Sequence, residues 1–176
     1  MAMKKPGPVL AWFYHAPSAL YRARLGRLMG GRFLMLTAFG RSSGIERATV
    51  LEVVRREVPA SGPPTLWVVA SRGARTDWYR NAVAHPRVRV DWRSQRFAAD
   101  AIDLDEDERV ELLADYQRRY PKAAAMLGRA ALGEAFTSDP DDLRVLAEDL
   151  RALRLEPTGA GAEQTPTDGG DVAGAR

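Results

Sequence analysis

The chain has 176 residues, enough for one ordinary domain, and 45% of them are hydrophobic, enough for one sizeable core. It has no cysteine and only two histidines, which excludes disulfides, thiolate nucleophiles and Cys-held clusters and leaves a conventional transition-metal site short of ligands. The net charge of +3 hides a division: residues 1–93 carry 16 Lys and Arg against 5 Asp and Glu, while residues 94–176 carry 10 against 18. A basic half suits an anionic ligand or nucleic acid, and it arises equally when two halves neutralise each other in the fold. Nearly all of these cations are Arg, whose planar fork matches phosphate and carboxylate, although a genome-wide bias gives the same excess.

Residues 1–10 read as a flexible leader, with Lys4 and Lys5 but no apolar stretch of the signal-peptide kind after them. No apolar run approaches the roughly 18 residues of a membrane span, so a cytoplasmic chain without an integral membrane segment is expected. After a turn at Pro17, the spacing predicts a helix over 18–29, stopped by Gly30 and Gly31. The apolar run 33–39 fits a central strand, and 47–58 a second strand antiparallel to it. A turn at 61–64 leads to a third strand, 65–70, rich in β-formers. A loop over 71–76 precedes a short helix, 77–84, with Asp77 as its N-cap and Pro86 beyond its end. Val88, Val90 and Trp92 alternate with charged residues in a half-buried strand. Ser94 and Gln95 turn the chain into a fifth strand, 97–104.

The acidic first turn of a helix over 105–120 complements its N-terminal dipole, with Val110, Leu113 and Ala114 facing inward. Pro121 interrupts it, and 122–131 forms a further short helix. Pro140 after Asp139 opens a last helix to about 149, and Leu153 and Leu155 add a final short strand. From 158 to 176 the residues are small and polar, a disordered tail, which leaves one domain over 11–157. Short connections between strands, without alternating crossover helices, give an α+β fold: an antiparallel sheet closed into a small barrel with helices packed outside.

Two segments carry candidate chemistry. Gly40, Arg41, Ser42, Ser43, Gly44, Ile45, Glu46 and Arg47 form a turn in which two glycines permit close approach, and the arginines and hydroxyls suit phosphate or carboxylate. It is not a P-loop, because no Lys and Ser/Thr follow the second Gly. An ordinary hairpin with exposed arginines fits the same pattern. In the second segment, 71–81, a strand ends in a small-residue loop with Arg72 and Arg75, and Trp78 and Tyr79 open a helix; core packing is the common fate of such aromatics.

Together these strings resemble the deazaflavin (F420)-dependent nitroreductase family. Residues 33–44 are similar to its apolar strand followed by Gly-Arg-Lys-Ser/Thr-Gly. Residues 69–73 resemble Ala-Ser-Lys-Gly-Gly, and 78–88 resemble Trp-Tyr-x-Asn-Leu-x-Ala-Asn-Pro-x-Val. The acidic helix start at 105–109, Tyr120-Pro121 and Leu155-Glu156-Pro157 follow in the family's order, so the likeness spans roughly 12–157.

The resemblance implies a split β-barrel of the FMN-binding, pyridoxamine-phosphate-oxidase-like kind. It also implies an F420H2-dependent reductase passing a hydride to a small-molecule quinone, nitroaromatic or activated enone. It sets Arg41, Ser42, Ser43 and Arg47 at the phosphate and polyglutamate side of F420, Ser71 and Arg72 near the deazaflavin and its tail, and Trp78 and Asn81 around the ring. Ser71 is the candidate proton source, and Tyr116 and Tyr120 are candidates for the substrate pocket. Three departures stand out: Ser42 replaces the family's Lys, the loop before Trp78 is short and lacks the second Gly, and no phenol follows Tyr120-Pro121 in residues 122–127. FMN in the same cleft, or a non-catalytic ligand-binding protein, are the alternatives. Related barrels commonly pair, which gives a homodimer as the expected assembly. Nucleic acid is not expected as a partner, since Trp67, Trp78 and Trp92 are spaced for core and cleft rather than for a stacking platform.

Overall fold

The computed structural model of the protein describes residues 31–131 and 139–159. The leader, the helix expected over 18–29 and the tail from 160 onward lie outside the described residues. Among the described residues there are six strands: β1 Phe33–Phe39, β2 Glu46–Glu57, β3 Thr65–Ala70, β4 Arg87–Trp92, β5 Gln95–Asp103 and β6 Arg151–Pro157. The same residues include four α-helices, α1 Asp77–Ala84, α2 Glu106–Arg119, α3 Pro121–Ala131 and α4 Pro140–Asp149, and a short 3-10 turn at Gly73–Arg75. The strands close into a barrel in the order β1-β2-β3-β6-β5-β4, every neighbouring pair antiparallel. The expected antiparallel barrel with outer helices is therefore present.

Alternation along the strands sets the two faces. Leu34, Leu36 and Ala38 of β1, Val88, Val90 and Trp92 of β4, and Phe97, Ala99 and Ala101 of β5 fill the barrel with Leu66, Val68, Leu153 and Leu155. On the outside, Trp67 and Ala152 pack with Leu112, Leu113 and Tyr116 of α2 and Leu143 and Leu146 of α4. β3 is covered on both faces, which is why its sequence is an unbroken apolar run rather than an alternation. β6 completes the closure: Leu155 lies opposite Leu66 of β3 on one side and Ala101 of β5 on the other.

Local chemistry explains the outer layer. Asp105 accepts from the Glu108 backbone N–H at 2.9 Å while Glu108 Oε2 accepts from the Asp105 N–H at 3.0 Å, a reciprocal cap that starts α2. Asp139 caps α4, with Pro140 at its first turn. The buried Arg109 guanidinium donates to the Ala147 carbonyl at 2.8 Å and to the Leu104 carbonyl, tying α2 to α4 and to the end of β5.

Boundaries differ from the sequence reading in several places: β2 lies one residue earlier than 47–58, and β5 covers 95–103 rather than 97–104. Thr76, not Asp77, is the N-cap of α1, and its side chain makes no capping bond; Asp77 is the first helical residue and its carboxylate is engaged elsewhere. The β4–β5 turn consists of Arg93 and Ser94, one residue earlier than expected. Arg93 adopts φ 54° with its guanidinium 4.5 Å from the Trp92 ring centroid, so Gln95 already pairs with Trp92.

Candidate functional site

The β1–β2 connection is a tight, self-bonded turn. The Gly40 N–H donates to the Ile45 carbonyl at 2.9 Å and the Gly44 N–H to the Gly40 carbonyl at 2.8 Å. Gly44 has φ +63°, the left-handed region that favours glycine, whereas a Cβ on Gly40 would meet the movable Ser43 Oγ at 2.6 Å and the Ile45 carbonyl oxygen at 3.3 Å. The turn leaves Ser42, Ser43 and Arg47 exposed.

Both feet of this turn are fastened. On one side Arg41 Nη1 donates to Asn81 Oδ1 and to Asp77 Oδ1, each at 3.0 Å, and the Arg41 backbone N–H donates to the same Asn81 oxygen at 3.1 Å. Asn81 is buried. On the other side Glu46 receives both ends of the Arg89 fork, at 3.1 and 3.0 Å, across β1. That hydrogen-bonded charge holds the Glu46 carboxyl below the usual carboxylate range. The helix has a second anchor: Tyr79 OH donates to Asp103 Oδ2 at 2.7 Å at the end of β5. Burial, then the bond to Asp103, push the Tyr79 phenol up to about 12.

The loop over 71–76 leads directly into α1. Gly73 has φ +58°, and a Cβ there would lie 2.2 Å from the Asp149 carbonyl oxygen, so the glycine lets the loop pass against the end of α4. Ser71 is half-buried and Arg72 and Arg75 are exposed. Trp78 is half-buried against the barrel core, edge-on to Tyr79 with centroids 6.3 Å apart.

Of the residues singled out in the sequence, Arg41 and Asn81 are in direct contact, and Trp78 stands on the same helix as Asn81. Ser42, Ser43 and Arg47 surround the turn, while Ser71 and Arg72 precede α1. Tyr116 and Tyr120 belong to a different wall. Tyr116 OH donates to Glu52 Oε1 at 2.9 Å on the outer face of β2, and Arg32 donates to the same oxygen at 3.1 Å. Burial and the Glu52 charge push the Tyr116 phenol well above its ordinary range. Tyr120 is 47% exposed, with its ring 5.6 Å from that of Tyr116.

Sequence reasoning missed Asp77 as a partner of Arg41, the Glu46–Arg89 pair and the Tyr79–Asp103 anchor. The i, i+4 spacing of Asp77 and Asn81 is the one signal that puts two acceptors on a common helix face. A cavity of about 220 Å³ lies at the foot of the turn, lined by Thr37, Phe39, Glu46, Arg87, Arg89 and Arg96 among others. A larger hollow of about 370 Å³ lies between the outer face of the barrel and α2, over Trp67 and rimmed by Arg55, Glu108 and Arg154.

Among solved structures, the chain is similar to an F420-H2 dependent reductase (FDR-A), at 21% identity over 71% of this chain and 94% of that one, with a TM-score of 0.46. It is also similar to the Agrobacterium tumefaciens protein Atu2129, of unknown function, at 22% identity over 94% and 64% of the two chains and a TM-score of 0.48. A third likeness is to a pyridoxamine 5'-phosphate oxidase-related, FMN-binding protein of Nostoc punctiforme, at 14% identity over 89% and 83% and a TM-score of 0.47. No curated protein matches the chain. The F420H(2)-dependent quinone reductase family matches residues 14–129, a stretch that contains the turn, the loop, α1 and most of the barrel. The chain belongs to the F420H(2)-dependent quinone reductase family, whose name makes F420 its cofactor.

Proposed function

We propose that the protein is an F420H2-dependent reductase that binds its cofactor where the 40–47 turn, the 71–76 loop and α1 meet, and reduces quinone-type acceptors there. The observation that supports this most is the Arg41–Asn81 contact, which joins two segments 40 residues apart in sequence into one cationic rim with a half-buried indole beside it. The donor set suits the group: an anionic phosphate and carboxylate tail needs guanidinium and hydroxyl partners, and Arg41, Ser42, Ser43, Arg47, Arg72 and Arg75 provide them. A planar ring needs an apolar wall, for which Trp78 is the candidate.

When bound, reduced F420 supplies the hydride. The chain's own part is to bind, orient and screen. Arg41, Ser42, Ser43, Arg47 and Arg72 hold the anionic end, Trp78 backs the ring, and Asn81 fixes the Arg41 side of the rim. Ser71, half-buried where β3 ends, would be the hydroxyl to lend a proton. Tyr116 keeps its proton tightly, so at neutral pH it acts as a neutral hydrogen-bond donor to Glu52. In the test, oxidation of reduced F420 is followed optically without oxygen, with a benzoquinone, a nitroaromatic and a cyclic enone as acceptors. Protein-dependent turnover with the quinone is expected; no turnover with any of the three contradicts the reading.

A further inference from the structure

Arg41 is the best-connected cation of the rim, and the way it is connected carries a consequence for ligand affinity. Its two side-chain partners differ. Asn81 is neutral, buried and bonded twice, to the backbone and to the guanidinium. Asp77 is charged, and its side chain is 80% exposed, against 30% for Arg41. Among the described residues both bonds fall on Nη1, so the Nε and Nη2 side of the fork faces away from them. The amide bond alone is enough to aim the guanidinium. The carboxylate adds little further aim; it adds a negative charge 3.0 Å from the cation that is to attract an anion.

We propose that Asp77 is a built-in counter-ion for Arg41 that lowers the affinity of the rim for the anionic end of its ligand and so tunes binding against release. The inference rests on the F420 reading above. A bound phosphate or carboxylate then competes with Asp77 for the guanidinium charge, while Asn81 keeps the side chain in place. Because Asp77 is on the surface, the competition is screened and modest. The compensation acts only on charge, so it discriminates between a ligand with an anionic tail and the same ring system without one.

The experiment titrates two probes: F420, and the deazaflavin bearing only its ribityl chain, with neither phosphate nor glutamate. Each is titrated into wild type, Asp77→Asn and Asp77→Ser, with thermal melts alongside. Asn keeps an oxygen for Nη1 and removes only the charge; Ser removes the charge and, with its shorter side chain, the contact with Nη1. F420 is expected to bind about two- to fivefold more tightly to both variants, with a steeper loss on adding salt, while affinity for the tail-less probe stays unchanged. In an Arg41→Ala background, Asp77→Asn is expected to have no effect on F420.

Unchanged or weaker F420 binding by a variant that melts like the wild type overturns the proposal, since Asp77 then helps rather than opposes the ligand. An equal gain for both probes also overturns it, because the effect is then not one of tail charge. If the wild type binds the tail-less probe and F420 equally well, the rim holds no anion and the proposal falls while the ring site stands. If it binds neither, the F420 reading itself falls, and this inference with it.

Discussion

On the β3–β6 wall, Trp67, Leu146, Leu150 and Ala152 are buried between the barrel and the outer helices, with the buried Arg109 guanidinium on backbone carbonyls inside and the Arg154–Glu108 pair at the edge. At the rim, α1 is joined to the β1–β2 turn by Arg41, Asp77 and Asn81 and to β5 by Tyr79 and Asp103, through groups that are in part open to water. The first kind of contact stores stability and tolerates no exchange of partners. The second contributes less stability per contact, but its partners are hydrogen-bonding groups that a ligand can replace one for one. A polar rim on an apolar barrel thus separates the residues that hold the fold from those proposed to meet the cofactor.

The comparison breaks most visibly at the wall. Leu146→Ala, at a fully buried position in α4, is expected to cost about 2–5 kcal/mol. Denaturant unfolding measures this, and F420 affinity is expected to stay within about twofold of wild type once the folded fraction is accounted for. Arg41→Ala is expected to invert that pattern. It removes a charge-assisted ligand bond of about 1.5–3 kcal/mol, or roughly ten- to a hundredfold in affinity, against a smaller loss of stability of about 1 kcal/mol from the Asn81 contact. Equal losses in both quantities would erase the division between wall and rim.

A smaller effect sharpens the comparison through pH. The Tyr79 phenol titrates at about 12 in the folded protein, above its ordinary value of 10.0. Its contribution is complete below pH 10 and is lost as pH rises towards 12. Tyr79→Phe is expected to cost about 1 kcal/mol at neutral pH and to flatten the alkaline fall in stability, read from melts across that window. Glu46 gives the smallest effect. Its folded carboxyl titrates below its ordinary value of 4.5, so the pair with Arg89 contributes above that value and is lost as pH falls through the lowered one. Any difference in melting between wild type and Glu46→Gln is therefore expected near neutrality and not in acid.

What could be read from the sequence divides along the same line. Strands β1, β3 and β4 are legible because alternation or an apolar run reports burial directly, and α2 and α4 because their caps are local chemistry. β6 showed only as Leu153 and Leu155, since Arg151 and Arg154 interrupt it and its partners lie in strands far away in sequence. A closed barrel is expected from the short strand connections, but the pairs that close it, β3–β6 and β1–β4, are long-range and leave no local mark. At the site, the glycine turn and the Trp78-Tyr79 string were visible as motifs. The partners of Arg41 were not, because Asp77 and Asn81 stand 36 and 40 residues from it and become neighbours only when α1 folds back over the turn. Tyr116 was visible as a phenol but its tie to Glu52, 64 residues away, was not.

The most direct test of the claim that the turn and α1 hold F420 is a titration of wild type and Arg41→Ala with F420 and with FMN, at low and high salt, followed by tryptophan fluorescence. The account expects saturable quenching by F420 that weakens as salt rises, at least about tenfold weaker binding by Arg41→Ala, and no comparable binding of FMN. F420 affinity independent of both salt and Arg41, or a preference for FMN, would contradict it.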